Sequence, residues 1–313
     1  MTFKVPTVAL RDTGDKIPVL GFGSGTKWRI AKTTGEREDQ FIDELAQQVT
    51  DAIKAGFNHI DTAEVYKTHP EVGEGIKRAK VAREKLWITD KYHPHSYNWR
   101  KSSGPIDSLK YSLDLMELSY VDLYLLHLPT INKENAGLTL EDAWKQMEEL
   151  RDLGLARNIG VSNFDVGSLA RIHRICKYPP AVNQIEFNAY MQQQSPGIFN
   201  YCKQNNILVE GYSPLSPLTK GSPGPLDDVL PSLATKYERT PAQILLRWAI
   251  QRGIVVLTTS GRIERLQEYM GALSFELSAE DEAQITSIGR GKILHGFMHQ
   301  LYGHQMDSLY DDL

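Results

Sequence analysis

Eight short apolar runs, several rich in β-branched residues, punctuate the chain: Val19–Gly23, Asn58–Asp61, Leu86–Thr89, Val121–Leu126, Ala156–Gly160, Val182–Glu186, Ile207–Gly211 and Ile254–Thr258. Continuous rather than alternating hydrophobicity marks strands covered on both faces, as in a parallel sheet. Between the runs, Phe41–Ala55, Pro105–Met116, Leu140–Leu153, Asp165–Cys176 and Pro241–Gln251 read as helices. Their ends are signposted. Thr240-Pro241 supplies an N-cap and a proline at the first helical position. Ser278 to Glu282 opens a late helix with acidic residues, where the helix dipole favours them. Gly56 and Gly154 sit where helices stop.

Eight strands each followed by a helix predict an α/β fold, a closed (β/α)8 TIM barrel, with residues 1–313 forming one domain. An open doubly wound sheet is the other arrangement the pattern allows. Three pieces decorate the repeat. Val5–Pro18 reads as an N-terminal β-hairpin turning at Asp12 to Asp15. Leu215–Pro231 reads as a long loop, and the stretch after Gly289 as an extended C-terminal loop without periodicity.

Charge narrows the partners. Lys and Arg number 35 against 39 Asp and Glu, a net of −4, which gives no general attraction to nucleic acid or to an anionic membrane. Two cysteines, Cys176 and Cys202, support neither a disulfide framework nor a Cys-rich zinc site and fit a reducing compartment. The first residues lack the apolar core of a signal peptide, and no apolar run is long enough to span a bilayer. A cytoplasmic location is the expectation.

In a barrel of this kind function gathers on the loops at the C-terminal strand ends. The second strand ends at Asp61, with Tyr66 a few residues on; Lys91 comes shortly after the third and His127 directly after the fourth. Alone, each has an ordinary explanation as a cap, a surface ion pair or a core histidine. Together at three consecutive strand ends they suit carbonyl reduction. Hydride delivered to a carbonyl carbon makes an alkoxide that needs a proton. Tyrosine, with a reference pKa of ~10, gives one reluctantly. An ammonium beside it lowers that pKa, and a carboxylate holds the ammonium. A neutral imidazole orients the carbonyl oxygen. Tyr66 is then the acid, Lys91 its tuner, Asp61 the anchor and His127 the orienter.

From about Val5 to about Gly289 the chain resembles the aldo-keto reductases. Gly56-Phe57-Asn58-His59-Ile60-Asp61-Thr62-Ala63 with Tyr66 and Glu71-Val72-Gly73 match the family's first signature, and Val121 to His127 its second. Asn158 to Phe164 and Asn183 to Glu186 match the middle of the fold. The resemblance implies NAD(P)H-dependent reduction of aldehydes and ketones, with the tetrad on Asp61, Tyr66, Lys91 and His127. It also implies cofactor contacts. Ser162, Asn163 and Gln184 match residues bonded to the nicotinamide carboxamide, Tyr212 the aromatic stacked on its ring, and Ser213 and Leu215 contacts to the pyrophosphate.

The adenosine end departs from the family pattern. Thr259 stands where many members have Lys, and Tyr269 where they have Asn, while Ser260, Arg265 and Glu268 keep their places. Arg265 faces the expected 2′-phosphate, with Arg262 adding charge, so NADPH/NADP+ is expected over NADH. Thr258-Thr259-Ser260, Gly23 to Trp28 and Ile207 to Glu210 resemble the family's fungal α-keto amide and conjugated polyketone reductase subgroup, which reduces activated ketones. Leu128 replaces the Trp that many members carry after the histidine. Trp28, and Trp99 on the loop after Lys91, are the expected walls of an apolar substrate pocket.

The expected partner is therefore a small carbonyl compound, with no nucleic acid, membrane or metal, and the chain a monomer or homodimer. Two other readings stand beside it: a reductase of one biosynthetic ketone or imine, and a nucleotide-binding regulatory barrel without significant turnover. Gly21-Phe22-Gly23-Ser24-Gly25 lacks the spacing of a dinucleotide-binding loop. His295, His299 and His304 read as a solvated loop rather than a metal site.

Overall fold

The computed structural model describes residues 4–34, 37, 40–94 and 102–309. All eight expected barrel strands form. A hairpin, β1 (Thr7–Ala9) and β2 (Lys16–Pro18), precedes β3 (Leu20–Gly23), β4 (His59–Asp61), β5 (Trp87–Tyr92), β6 (Val121–Leu126), β7 (Ala156–Ser162), β8 (Val182–Glu186), β9 (Leu208–Tyr212) and β10 (Val255–Thr258). Strands β3 to β10 follow chain order around a closed barrel, with β10 pairing β3 to complete it. Each pairing in the barrel is parallel. The open-sheet alternative is thereby excluded.

Strand β5 runs three residues beyond its apolar run, through Asp90 and Lys91 to Tyr92. Polar side chains hide this extension in the sequence, yet both Asp90 and Lys91 are fully buried. The helix expected from Phe41 starts at Asp43 instead. The amide of Ile42 is taken by Glu71 Oε1 at 2.8 Å, which fixes the chain just before the first turn. Thr240 caps its helix as expected, in a reciprocal box with Gln243, and Ser278 accepts from the amide of Asp281. Gly56, at φ +112°, ends its helix in the left-handed region, where a side chain would strain the backbone.

Two apolar clusters divide the work. The larger lies between the barrel and its helices. The smaller joins Leu10 and Ile17 of the hairpin region to Trp87, Val182 and Val255, the first residues of β5, β8 and β10. The hairpin therefore closes the N-terminal end of the barrel, and the C-terminal ends carry the polar side chains. Leu215–Pro231 is mostly loop, interrupted by a short turn at Ser216–Leu218 and by a helix that begins at Val229. The tail beyond Gly289 is loop until the short helix His299–Tyr302.

Candidate active site

Asp61 and Lys91 close β4 and extend β5, so adjacent strands bring them together. Lys91 Nζ donates to both Asp61 oxygens, at 2.6 and 2.7 Å, and to the carbonyl of Thr62 at 2.8 Å. Burial disfavours the ammonium, but Asp61 and Tyr66 carry its pKa above the usual lysine value. Tyr66 ends the short helical turn Glu64–Tyr66 that follows β4. Its ring centre lies 5.3 Å from Lys91 Nζ. His127, one residue past β6, meets that ring edge-on at 5.8 Å. Burial, then the charge of Lys91, hold the His127 pKa well below the ordinary histidine value, so the imidazole is neutral. The four expected side chains thus share one small volume.

The phenol of Tyr66 does not have the lowered pKa expected of it. Lys91 does pull the Tyr66 phenol down, but burial outweighs it and Asp61 opposes it, so the phenol stands above its ordinary value. A carboxylate that anchors the ammonium also cancels much of its field.

Beneath this set lies a second polar layer that the sequence reading missed. Gln184 Nε2 bridges Asp61 Oδ2 at 2.9 Å and Glu210 Oε2 at 2.7 Å. Glu210 is fully buried, and its Oε1 lies 3.4 Å from His59 Nε2. His59 Nε2 also lies 3.0 Å from the Thr89 hydroxyl. Burial, then repulsion from Asp61, push Glu210 up to about 8. Burial holds His59 at about 3, hence neutral. Alternation supplies the signal that finds this layer. His59 and Asp61, Thr89 and Lys91, and Glu210 and Tyr212 are all two residues apart on one strand and share its inner face.

The residues matched to nicotinamide contacts are also assembled. Ser162 Oγ donates to the Gln184 carbonyl at 2.8 Å. Asn163, left-handed at φ +62°, donates through Nδ2 to the His127 carbonyl at 3.0 Å and accepts from the Tyr212 hydroxyl at 2.8 Å. Ser213 is left-handed as well, at φ +61°, and Leu215 leads into the next turn. The tail reaches this group: Tyr302 donates to the Asn163 carbonyl at 2.6 Å, and Phe297 meets the Tyr212 ring edge-on at 5.6 Å.

At the end of β10, Thr259 and Ser260 are half-buried, and Arg262 and Arg265 are exposed around the start of the helix Ile263–Met270. Neither arginine forms an ion pair among the described residues. Glu268 turns away from them, accepting from Thr240 Oγ1 at 2.5 Å. Trp28 is turned toward the loop after β10. Its Nε1 donates to Gln48 Oε1 at 2.6 Å, and Gln48 in turn donates to the Ser260 carbonyl. The indole therefore lines a cleft with Arg37, Gln48 and Gly261, on the β10 side of the mouth. Beside Tyr66 stands Gly25, where an added Cβ would lie 2.5 Å from the phenol ring. Leu128 follows His127 as expected, and Trp99 lies outside the described residues.

A parallel eight-stranded barrel whose mouth holds a buried Lys–Asp pair, a phenol and a neutral imidazole is the framework of a carbonyl oxidoreductase. The comparisons with known proteins agree. The aldo/keto reductase family profile matches residues 22–290. The NADPH-dependent alpha-keto amide reductase of Saccharomyces cerevisiae is 42% identical over 93% of this chain and 94% of its own length. The NAD/NADP-dependent indole-3-acetaldehyde reductase of Schizosaccharomyces pombe is 37% identical, covering 88% and 93%. Among solved structures, a Bombyx mori aldo-keto reductase in complex with NADP superposes with a TM-score of 0.79 at 32% identity, over 96% of this chain and 98% of that one. Another, complexed with NADPH, gives 0.81 at 32% identity, over 96% and 93%. The chain belongs to the aldo/keto reductase family and is an oxidoreductase acting on carbonyl groups.

Proposed function

We propose that this chain, working as a single domain, is an NADPH-dependent reductase of aldehydes and activated ketones (α-keto esters, α-keto amides and 1,2-diketones), with Tyr66 as proton donor. The observation that carries the reading is the buried Asp61–Lys91 pair beside the Tyr66 ring, with neutral His127 across it. A neutral imidazole can donate to a carbonyl oxygen and draw its charge as the bond polarises. The Tyr66 hydroxyl then gives its proton to the forming alkoxide, and Lys91 stabilises the phenolate left behind. Asp61 keeps the ammonium in place through that change.

The residues at the mouth fit a dinucleotide. Gln184 spends its amide hydrogens on Asp61 and Glu210, leaving its oxygen to accept from a carboxamide. Tyr212 presents a ring at the same place. Ser260 and the exposed Arg262 and Arg265, which form no ion pair among the described residues, suit a 2′-phosphate, since guanidinium recognises phosphate in bidentate fashion. When bound, the reduced nicotinamide supplies the hydride. The names of the similar proteins support NADPH, and the yeast relative's name supports α-keto amides.

The test follows NADPH and NADH oxidation with isatin, an α-keto ester, an α-keto amide and an aldose. Turnover of the activated ketones with NADPH, and little of the aldose, is the expected result. Cofactor binding without turnover of any of them would contradict the reading and favour a regulatory barrel.

A further inference from the structure

We propose that Arg29 is the group that recognises the substrate's second polar end, and that the preferred substrates are 2-oxo carboxylates. The inference rests on the carbonyl-reductase reading above and adds a charged class of activated ketone to it. The helix Thr26–Thr33 begins at Gly25, whose Cα lies against the Tyr66 ring. Arg29 is one turn further on, on the same helical face, and its amide bonds the Gly25 carbonyl at 2.7 Å. Its positive charge is felt at both Tyr66 and His127, the two side chains that flank the reacting carbonyl.

The other cations of this helix are already engaged. Lys32 Nζ is buried and tied to Glu71 and to the Gln40 carbonyl, both at 2.7 Å. Lys27 lies over the Trp28 ring at 4.5 Å. Arg29 is half-buried, and among the described residues its guanidinium has neither a carboxylate nor a hydrogen-bond acceptor. Among the four side chains of the site, Asp61 and Lys91 form an ion pair and His127 and Tyr66 are neutral, so none of them compensates the positive charge of Arg29. A carboxylate on the carbon next to the ketone matches that charge, and guanidinium binds it through two parallel hydrogen bonds. Pairing also offsets the electron release of the carboxylate, which would otherwise make the ketone a poorer hydride acceptor. In the reduction the carbonyl π pair moves to oxygen. The carbon gains the hydride, the oxygen gains the Tyr66 proton, and a 2-hydroxy carboxylate is formed. The carboxylate itself makes and breaks no covalent bond.

An oxyanion at Arg29 has two sources, the substrate carboxylate or the cofactor's pyrophosphate. The experiment separates them with phenylglyoxylate, its neutral methyl ester, and the variant Arg29→Gln. The wild type is expected to reduce both compounds and to prefer the acid. In Arg29→Gln the acid-to-ester ratio of kcat/KM should fall by about ten- to a hundredfold, the worth of a charge-assisted hydrogen bond. Fluorescence titration should give NADPH a Kd within about twofold of the wild type, and the melting temperature should hold. Arg29→Lys should recover part of the ratio. An unchanged ratio overturns the assignment. So does a weakened NADPH Kd with both substrates affected equally, which would place the pyrophosphate at Arg29. Turnover of the ester but not the acid by the wild type overturns this inference alone. Turnover of neither also removes the reading on which it rests.

Discussion

At the level of single residues, the site works through groups whose charge states are set by burial. His127 is held neutral well below the usual histidine range, and Tyr66 is held protonated above the usual tyrosine range. If Tyr66 is the donor proposed above, the protonated phenol is the active form, so neither Tyr66 nor His127 should put a step in kcat/KM for reduction between pH 6 and 9. A step in that interval from either group would contradict the assignment. Gly25 fixes the phenol sterically. Its backbone, at φ −86°, accepts any residue, but a Cβ there would meet the ring at 2.5 Å. Gly25→Ala should fold and lower kcat by at least about tenfold, since a displacement near 1 Å at a reacting group is expensive. A normal kcat would show that the ring is free to shift.

Glu210 gives a second prediction at this scale. Its folded pKa of about 8 lies far above its ordinary 4.5. Between those values the folded chain keeps a proton that the unfolded chain has lost, so stability falls as pH rises through that window. Glu210→Gln removes the titration. Relative to the variant, wild-type stability should drop from pH 5 to pH 8, by up to about 1.4 kcal/mol per pH unit. A constant difference across that range would contradict the assignment. The four expected catalytic side chains are legible in the sequence because each stands at or just past the end of an apolar run. Glu210 is not, since one carboxylate within Ile207–Gly211 reads as a flaw in a strand rather than as a bond to Gln184. The direction of the Trp28 side chain is not legible, because a sequence gives a helix but not where one side chain points. Its hydrogen bond to Gln48 decides that direction.

Among the elements, the barrel strands declare themselves by continuous hydrophobicity and the helices by their caps. Strand β5 is the exception. Its last residues are polar and buried, so its true end lies beyond the apolar signal. The tail is the other element whose role the sequence leaves open, because it has no period. Its structure comes from single bonds to the barrel. Glu186, at the end of β8, accepts from the amides of Gly296 at 3.0 Å and Phe297 at 3.2 Å, and burial pushes its carboxyl up to about 7. Glu186→Ala should release this segment. Hydrogen exchange at Gly296 and Phe297 should quicken by about tenfold or more, while the helices around the barrel keep their protection. Unchanged exchange at those two amides would show that the tail is held without Glu186, by Tyr302 and by Leu294, whose amide donates to the Tyr190 carbonyl at 3.0 Å.

For the whole molecule, the eightfold repeat confines the chemistry to one end. The hairpin packs against the first residues of β5, β8 and β10, which leaves the opposite mouth for ligands. A cofactor spanning that mouth binds the folded chain alone and so raises its melting temperature; at a hundred times Kd the gain is about 2.7 kcal/mol. Arg265→Ala should cut the stabilisation by NADPH and spare that by NADH. An equal loss with both would remove the arginine from the 2′-phosphate.

The most direct test compares wild type with Tyr66→Phe, measuring reduction of an α-keto ester and NADPH affinity on the same preparations. In Tyr66→Phe, kcat should fall by about 10²- to 10⁴-fold, the range for loss of a general acid, with NADPH Kd within about twofold of wild type. A Tyr66→Phe enzyme that keeps most of its turnover, or that loses its cofactor, would contradict the claim that Tyr66 delivers the proton.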